Sequence, residues 1–211
     1  MQGGTRIKVC GITRVADGVA AAEAGVDAIG LMFYPGSKRA ISVERAAALA
    51  DELPPFLLRV GVFVNPTRDA VRRAIDIAGI QVAQFHGEEE PGDLQGLSIP
   101  VLKAFRVASS ETLLDLPRFR QTAGWLLDSY HPNQRGGSGE TFNWDIAVRA
   151  RELGHPMILA GGLRPENVAE AVRAVRPYGV DVASGVESAP GIKDPVAMRA
   201  FVAAVREGDK L

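Results

Sequence analysis

The sequence predicts an α/β fold, a single (β/α)8 TIM barrel over residues 1–211. Short apolar runs recur eight times, helical patterns separate most of them, and 211 residues divide into units of about 26. The runs are apolar nearly throughout rather than alternating, which is how parallel strands covered by helices read. Eight such units close a barrel near the small end of that fold's size range. The competing architecture is an open, doubly wound sheet. The length suits one well-buried core, and no linker marks a second domain.

The elements follow in order. IKVC (7–10) is the first strand, and the Ala-rich stretch 14–25 is a helix stopped by Gly25. AIGLMF (28–33) is the second strand; after the loop 34–41, Ser42 caps a helix over 42–53. RVGVFV (59–64) is the third strand, followed by a helix over 65–79 capped by Asn65 or Thr67. VAQFH (82–86) is the fourth, and the polar stretch 87–98 gives only a weak helix. VLKAFRV (101–107) is the fifth, with a helix after it broken or ended at Pro117. GWLLDSY (124–130) is the sixth; a Gly-rich loop over 131–142 precedes a helix over 143–152. PMILAGG (156–162) is the seventh, followed by a helix over 164–176 with Pro165 near its first position. GVDVASG (179–185) is the eighth, and a helix over 194–208 closes the series.

Composition excludes several classes. With 24 Lys+Arg against 25 Asp+Glu, the net charge of -1 gives no general pull toward nucleic acid or an anionic membrane. One cysteine makes no internal disulfide. The start MQGGTRIKV lacks the apolar core of a signal peptide, and no stretch is long enough to span a bilayer. The expectation is a soluble, cytoplasmic protein with no obligatory protein partner.

In a barrel the active site lies at the C-terminal ends of the strands. Cys10 ends the first strand, Arg39 follows the second, His86 ends the fourth and Asp128 lies near the end of the sixth. Gly161 and Gly162 end the seventh; Ser184 and Gly185 end the eighth, with Asp181 just before them. Two glycine-bearing turns on the last two strands predict a phosphate site, because backbone N–H groups converge there on an anion. Taken singly, each is only a tight turn. Cys10 reads as a buried inert thiol, a metal ligand or an acid–base thiol. The three histidines show no ligand spacing with it, so metal is disfavoured. Lys8 shares its side of the strand if the period of two holds. Asp128, after Leu126 and Leu127, is a structural carboxylate or a general acid raised by a partly dry pocket. Arg39 can pair bidentately with a carboxylate or phosphate, or lie on the surface. His86 shapes the site or ends a strand. The loop 131–139 is a lid candidate or a plain solvent loop.

With those residues in place, IKVCGIT, FYPGSKRAIS, RVGVFVN, QFHGEE, LLDS, GGSGETFNW, LAGGLRPENV and VDVASGVESAPGIKD together closely resemble the phosphoribosylanthranilate isomerase family. The resemblance covers nearly the whole chain. Phe85 where Leu is common and Ala160 where some members have Ser are mild departures. It implies an Amadori rearrangement of a small phosphorylated substrate in tryptophan biosynthesis, without metal or organic cofactor. It further implies Cys10 as general base and Asp128 as general acid. Arg39 and Asp181 then hold substrate, and Gly161, Gly162, Ser184 and Gly185 hold phosphate. The rivals are the histidine-pathway aminoaldose isomerases, which carry two aspartates and a second phosphate site, and a catalytically dead phosphate-binding barrel. A cysteine redox protein wants a second thiol, which is absent.

Overall fold

A computed structural model describes residues 4–129 and 144–210. The predicted lid, 131–139, lies outside the described residues. Eight strands form a closed parallel barrel: β1 Arg6–Cys10, β2 Ala28–Met32, β3 Leu58–Phe63, β4 Val82–Phe85, β5 Val101–Val107, β6 Gly124–Ser129, β7 Met157–Ala160 and β8 Gly179–Val182. Closure is made by β1 against β8, with Lys8 opposite Asp181 and Val9 opposite Val182.

The strands alternate, though the sequence hides it. On β1, Ile7 and Val9 face outward into the layer shared with the helices, while Cys10 joins the barrel interior. The interior is lined by small or branched residues such as Ala28, Val60, Val62, Ala104 and Ala160. Both faces are therefore apolar, one against helices and one inside the ring, so the runs read as continuous. Lys8, Gln84, Lys103 and Asp181 are the exceptions, polar yet buried.

Seven helices among the described residues cover the outside: α1 Val15–Glu23, α2 Val43–Ala50, α3 Arg68–Asp76, α4 Thr112–Asp115, α5 Trp144–Glu152, α6 Val168–Val175 and α7 Pro195–Gly208. Ser42 caps α2 by accepting from Arg45 N at 3.1 Å, and Thr67, not Asn65, caps α3 by accepting from Ala70 N at 3.2 Å. Asn65 instead takes a left-handed conformation, φ 47°, and offers its N–H to Glu89.

Three features differ from the sequence expectation and one, at Pro117, agrees with it. No helix forms between β4 and β5. There the Glu89 carboxylate gathers the N–H groups of Asn65 and Gly87 and the ammonium of Lys103, holding the segment in turns. Pro117 ends α4 as expected, and the chain continues as a 3-10 turn over Leu116–Phe119. Helix α6 starts at Val168 rather than at Pro165. The Asn167 side chain accepts from Arg164 N and donates to Gly162 O, closing a turn ahead of the helix. After β8 comes a 3-10 turn, Ser184–Val186, and then an unanticipated hairpin of β9 Glu187–Ala189 and β10 Ile192–Lys193.

A mostly apolar cavity of ≈ 510 Å³ opens at the N-terminal end of the barrel, lined by strand-start residues such as Ala28, Leu58, Val82 and Gly179. It lies at the opposite end from the site below. Among the described residues, no helix is long and apolar enough to cross a membrane.

Candidate active site

The C-terminal mouth gathers the residues singled out in the sequence. Period two holds on β1, so Lys8 and Cys10 both point inward. Lys8 Nζ donates to Asp181 Oδ2 at 2.9 Å, with both side chains under one-tenth exposed. Burial works against the Lys8 ammonium, but Asp181 and Cys10 outweigh it, and its pKa lies above the ordinary lysine value. Burial pushes the Asp181 carboxyl up against the pull of Lys8. These shifts favour opposite states of the pair; a 2.9 Å contact is that of an ion pair, and the Lys8 direction is the one consistent with it. Asp181 Oδ1 is buried with no hydrogen-bond partner among the described residues, an acceptor left over inside the mouth.

Cys10 is 8% exposed. Burial raises its thiol pKa, Lys8 and Lys193 pull it down, and Asp181 pushes it up; the net direction is up. The sulfur has room because its neighbour on β2 is Gly30. A β-carbon there would lie 2.6 Å from Cys10 Sγ, 3.0 Å from Cys10 Cα and 3.2 Å from Lys8 Nζ.

On the far side of the ring, His86 Nε2 lies 3.3 Å from Asp128 Oδ2, and the Asp128 side chain is 33% exposed. Asp181 feels the charges of both. His86 thus faces the expected acid.

Arg39 does reach the mouth, its stem packed over Gly11. Its fork is already engaged, however: Nε and Nη2 donate to Glu187 at 2.7 and 2.6 Å. Glu187 also accepts from Lys193 Nζ at 2.8 Å. Fully buried Lys193 spends its other donors on the carbonyls of Cys10, at 2.6 Å, and Ala183, at 3.1 Å. Lys193 thereby ties the ends of β1 and β8 to the hairpin. Sequence reading missed Gly30, Glu187 and Lys193. The last two stood in VESAPGIKD, where a charge inside a Gly- and Pro-rich segment was the only available signal.

The phosphate candidates come together through close backbone approach. Gly161 and Gly162 have φ of 84° and 63°. Gly185 packs so closely that a β-carbon would run into the Leu163 carbonyl. Gly185→Ala must separate the loops after β7 and β8. It is expected to destabilise by about 1–3 kcal/mol, read as a lower urea midpoint, and to raise KM for a phosphorylated substrate. An unchanged midpoint and KM would refute this account of the turn.

Comparison with known proteins places this geometry. The family model described as N-(5'phosphoribosyl)anthranilate (PRA) isomerase matches residues 7–204. The N-(5'-phosphoribosyl)anthranilate isomerase of Myxococcus xanthus is 52% identical over 207 residues, covering 95% of this chain and 96% of its own length. The crystal structure of phosphoribosyl anthranilate isomerase from Thermotoga maritima superposes with a TM-score of 0.90 at 40% identity, covering 96% of this chain and 98% of that one. A structure of such an isomerase in complex with reduced 1-(o-carboxyphenylamino)-1-deoxyribulose 5-phosphate matches at 0.87 and 37% identity, covering 96% and 98%.

Proposed function

The chain belongs to the N-(5'-phosphoribosyl)anthranilate isomerase family of tryptophan biosynthesis, and from that premise we propose that it opens and isomerises the phosphoribosyl ring with Asp128 as acid and Cys10 as base. The observation that carries the reading is geometric: at the C-terminal mouth Lys8, on the strand of Cys10, donates to Asp181 at 2.9 Å, and His86 lies 3.3 Å from Asp128. Asp181 feels Lys8 on one side and Asp128 and His86 on the other, and Cys10 feels Lys8 and Asp181 in turn. Residues from β1, β6 and β8, with His86 just after β4, thus meet at one mouth.

Protonated Asp128 gives its proton to the furanose ring oxygen, and the C1–O bond breaks. The nitrogen lone pair forms an iminium ion, which acidifies the proton on ribose carbon 2. Cys10, as thiolate, removes that proton, and the electron pair left behind forms the enolamine, which tautomerises to the aminoketose. Cys10 then loses its proton to solvent and Asp128 takes one up, so the proton count closes. His86, beside Asp128, orients the carboxyl group. Asp181 Oδ1 accepts a substrate N–H or O–H. Arg39 uses the edge that Glu187 leaves open for the anthranilate carboxylate. The phosphate is held between the Gly161–Gly162 and Ser184–Gly185 turns, where binding energy remote from the reacting bonds is converted into orientation.

The test is purified protein mixed with freshly generated phosphoribosylanthranilate, following loss of its fluorescence above spontaneous hydrolysis. Turnover unchanged by a chelator is expected. Absence of turnover in folded protein overturns the reading and sends the search to the histidine-pathway aminoaldose substrate.

A further inference from the structure

We propose that Lys8 is a positioning residue that supplies the counter-charge on which the Cys10 thiolate forms, with Asp181 setting how much of that charge the sulfur feels. The inference rests on the reading of Cys10 as base and adds a residue to it.

Three observations support it. First, Lys8 and Cys10 share the inward face of β1, and the vacancy over Gly30 is bounded by both Cys10 Sγ and Lys8 Nζ. Both atoms surround one point, inside the ~4–6 Å over which an opposite charge moves a pKa. Second, the other cations near the sulfur are committed elsewhere. Lys193 is held by Glu187 and two carbonyls, and Arg39 is locked on Glu187. Lys8 donates to the Asp181 carboxylate, which takes one of the three bonds its ammonium offers. Third, a buried ion pair is a weak source of stability. Neighbouring interior positions such as Ala28 and Val60 are apolar, so packing alone does not call for a lysine at position 8.

The groups facing Cys10 act with definite signs. Burial raises its pKa, Lys8 is the largest downward pull, Asp181 raises it, and Lys193 adds a smaller downward pull. Arg39 reaches Cys10 from the loop after β2. Asp128 and His86 act on Asp181 from across the ring. A substrate donor bound at the open Asp181 Oδ1 satisfies that carboxylate and leaves more of the Lys8 charge to the sulfur.

Cys10 is the only cysteine in the chain, so iodoacetamide alkylation followed against pH reads its ionisation alone. Lys8→Met is expected to move the alkylation midpoint up by at least one unit, a tenfold or greater loss of thiolate at a fixed pH below it. Asp181→Asn is expected to move it down. Lys8→Arg should restore part of the wild-type midpoint, and the acidic limb of kcat/KM should follow the alkylation midpoint in each active variant. General loosening of the fold would shift the Met and Asn variants in the same direction. A midpoint unchanged in folded Lys8→Met, or raised in Asp181→Asn, overturns the proposal; if Lys8→Met fails to fold by circular dichroism, the Asp181→Asn direction decides. Turnover surviving in Cys10→Ala sinks the base assignment separately, while the alkylation midpoints still judge the hold of Lys8 on the thiol.

Discussion

Cys10→Ala and Asp128→Asn are each expected to lower kcat/KM by about 10²–10⁴, the usual worth of one positioned proton-transfer group. The loss should fall on kcat, because neither group is asked to bind the substrate's phosphate. Cys10 sits among Ala28, Val60, Val62 and Val82, so replacing the thiol with a methyl group leaves an apolar wall and a folded barrel. Cys10→Ser is the sharper probe: it keeps the shape, but a hydroxyl has far too high a pKa to act as the base. The double variant should be little worse than the poorer single one, since groups that act in one sequence are not additive. Inorganic phosphate, used as a competitive probe, should bind all of these variants as it binds the wild type. A Cys10→Ala enzyme within fivefold of wild type would remove Cys10 from the mechanism.

Lys193→Met is expected to destabilise by about 1–3 kcal/mol, since it takes one of two cationic partners from a buried carboxylate and leaves buried carbonyls without their donor. That carboxylate is Glu187, whose side chain is 5% exposed and which keeps Arg39. The carbonyls of Cys10 and Ala183 lose a donor as well. At about 2–4 °C per kcal/mol for a chain of this size, Tm should drop by on the order of 5 °C. Acid should attack the same knot. Burial opposes the Glu187 charge, but Arg39 and Lys193 outweigh it and hold its carboxyl below the usual value. A depressed folded pKa gives stability that is complete above the unfolded value near 4.5 and is lost as pH falls through the folded one. The Tm gap between wild type and Lys193→Met should therefore narrow on acidification from pH 6. A gap constant with pH would show that the ion pair is not its source.

Which parts could be read from sequence follows from distance along the chain. The strands were legible because both of their faces are apolar, and the caps at Ser42 and Thr67 because capping acts over three residues. The missing fourth helix turned on Glu89 choosing backbone N–H groups of Asn65 and Gly87 and the ammonium of Lys103, a choice with no local signature. Helix α6 began late because the Asn167 side chain closed the preceding turn first. At the site, Cys10, Asp128 and the glycine turns were flagged by standing at strand ends. The partner of Arg39 was not, because Glu187 lies 148 positions away. Lys193 escaped for the same reason, meeting Cys10 across 183 positions.

That separation also sets when the site can exist. The surroundings of Cys10 come from positions 8, 30 and 39 early in the chain and from 181, 187 and 193 near its end, and β1 has no partner on one edge until β8 arrives. On the ribosome, at about 5–20 residues per second, the thiol waits on the order of ten seconds for them. Until then it is an ordinary cysteine on an open sheet edge, exposed to oxidants and to other nascent strands. The last barrel strand to be made, with the hairpin after it, both seals the ring and turns the first strand's thiol into a buried, electrostatically governed group, so an arrested or truncated chain should be marked by a cysteine that reacts like free thiol.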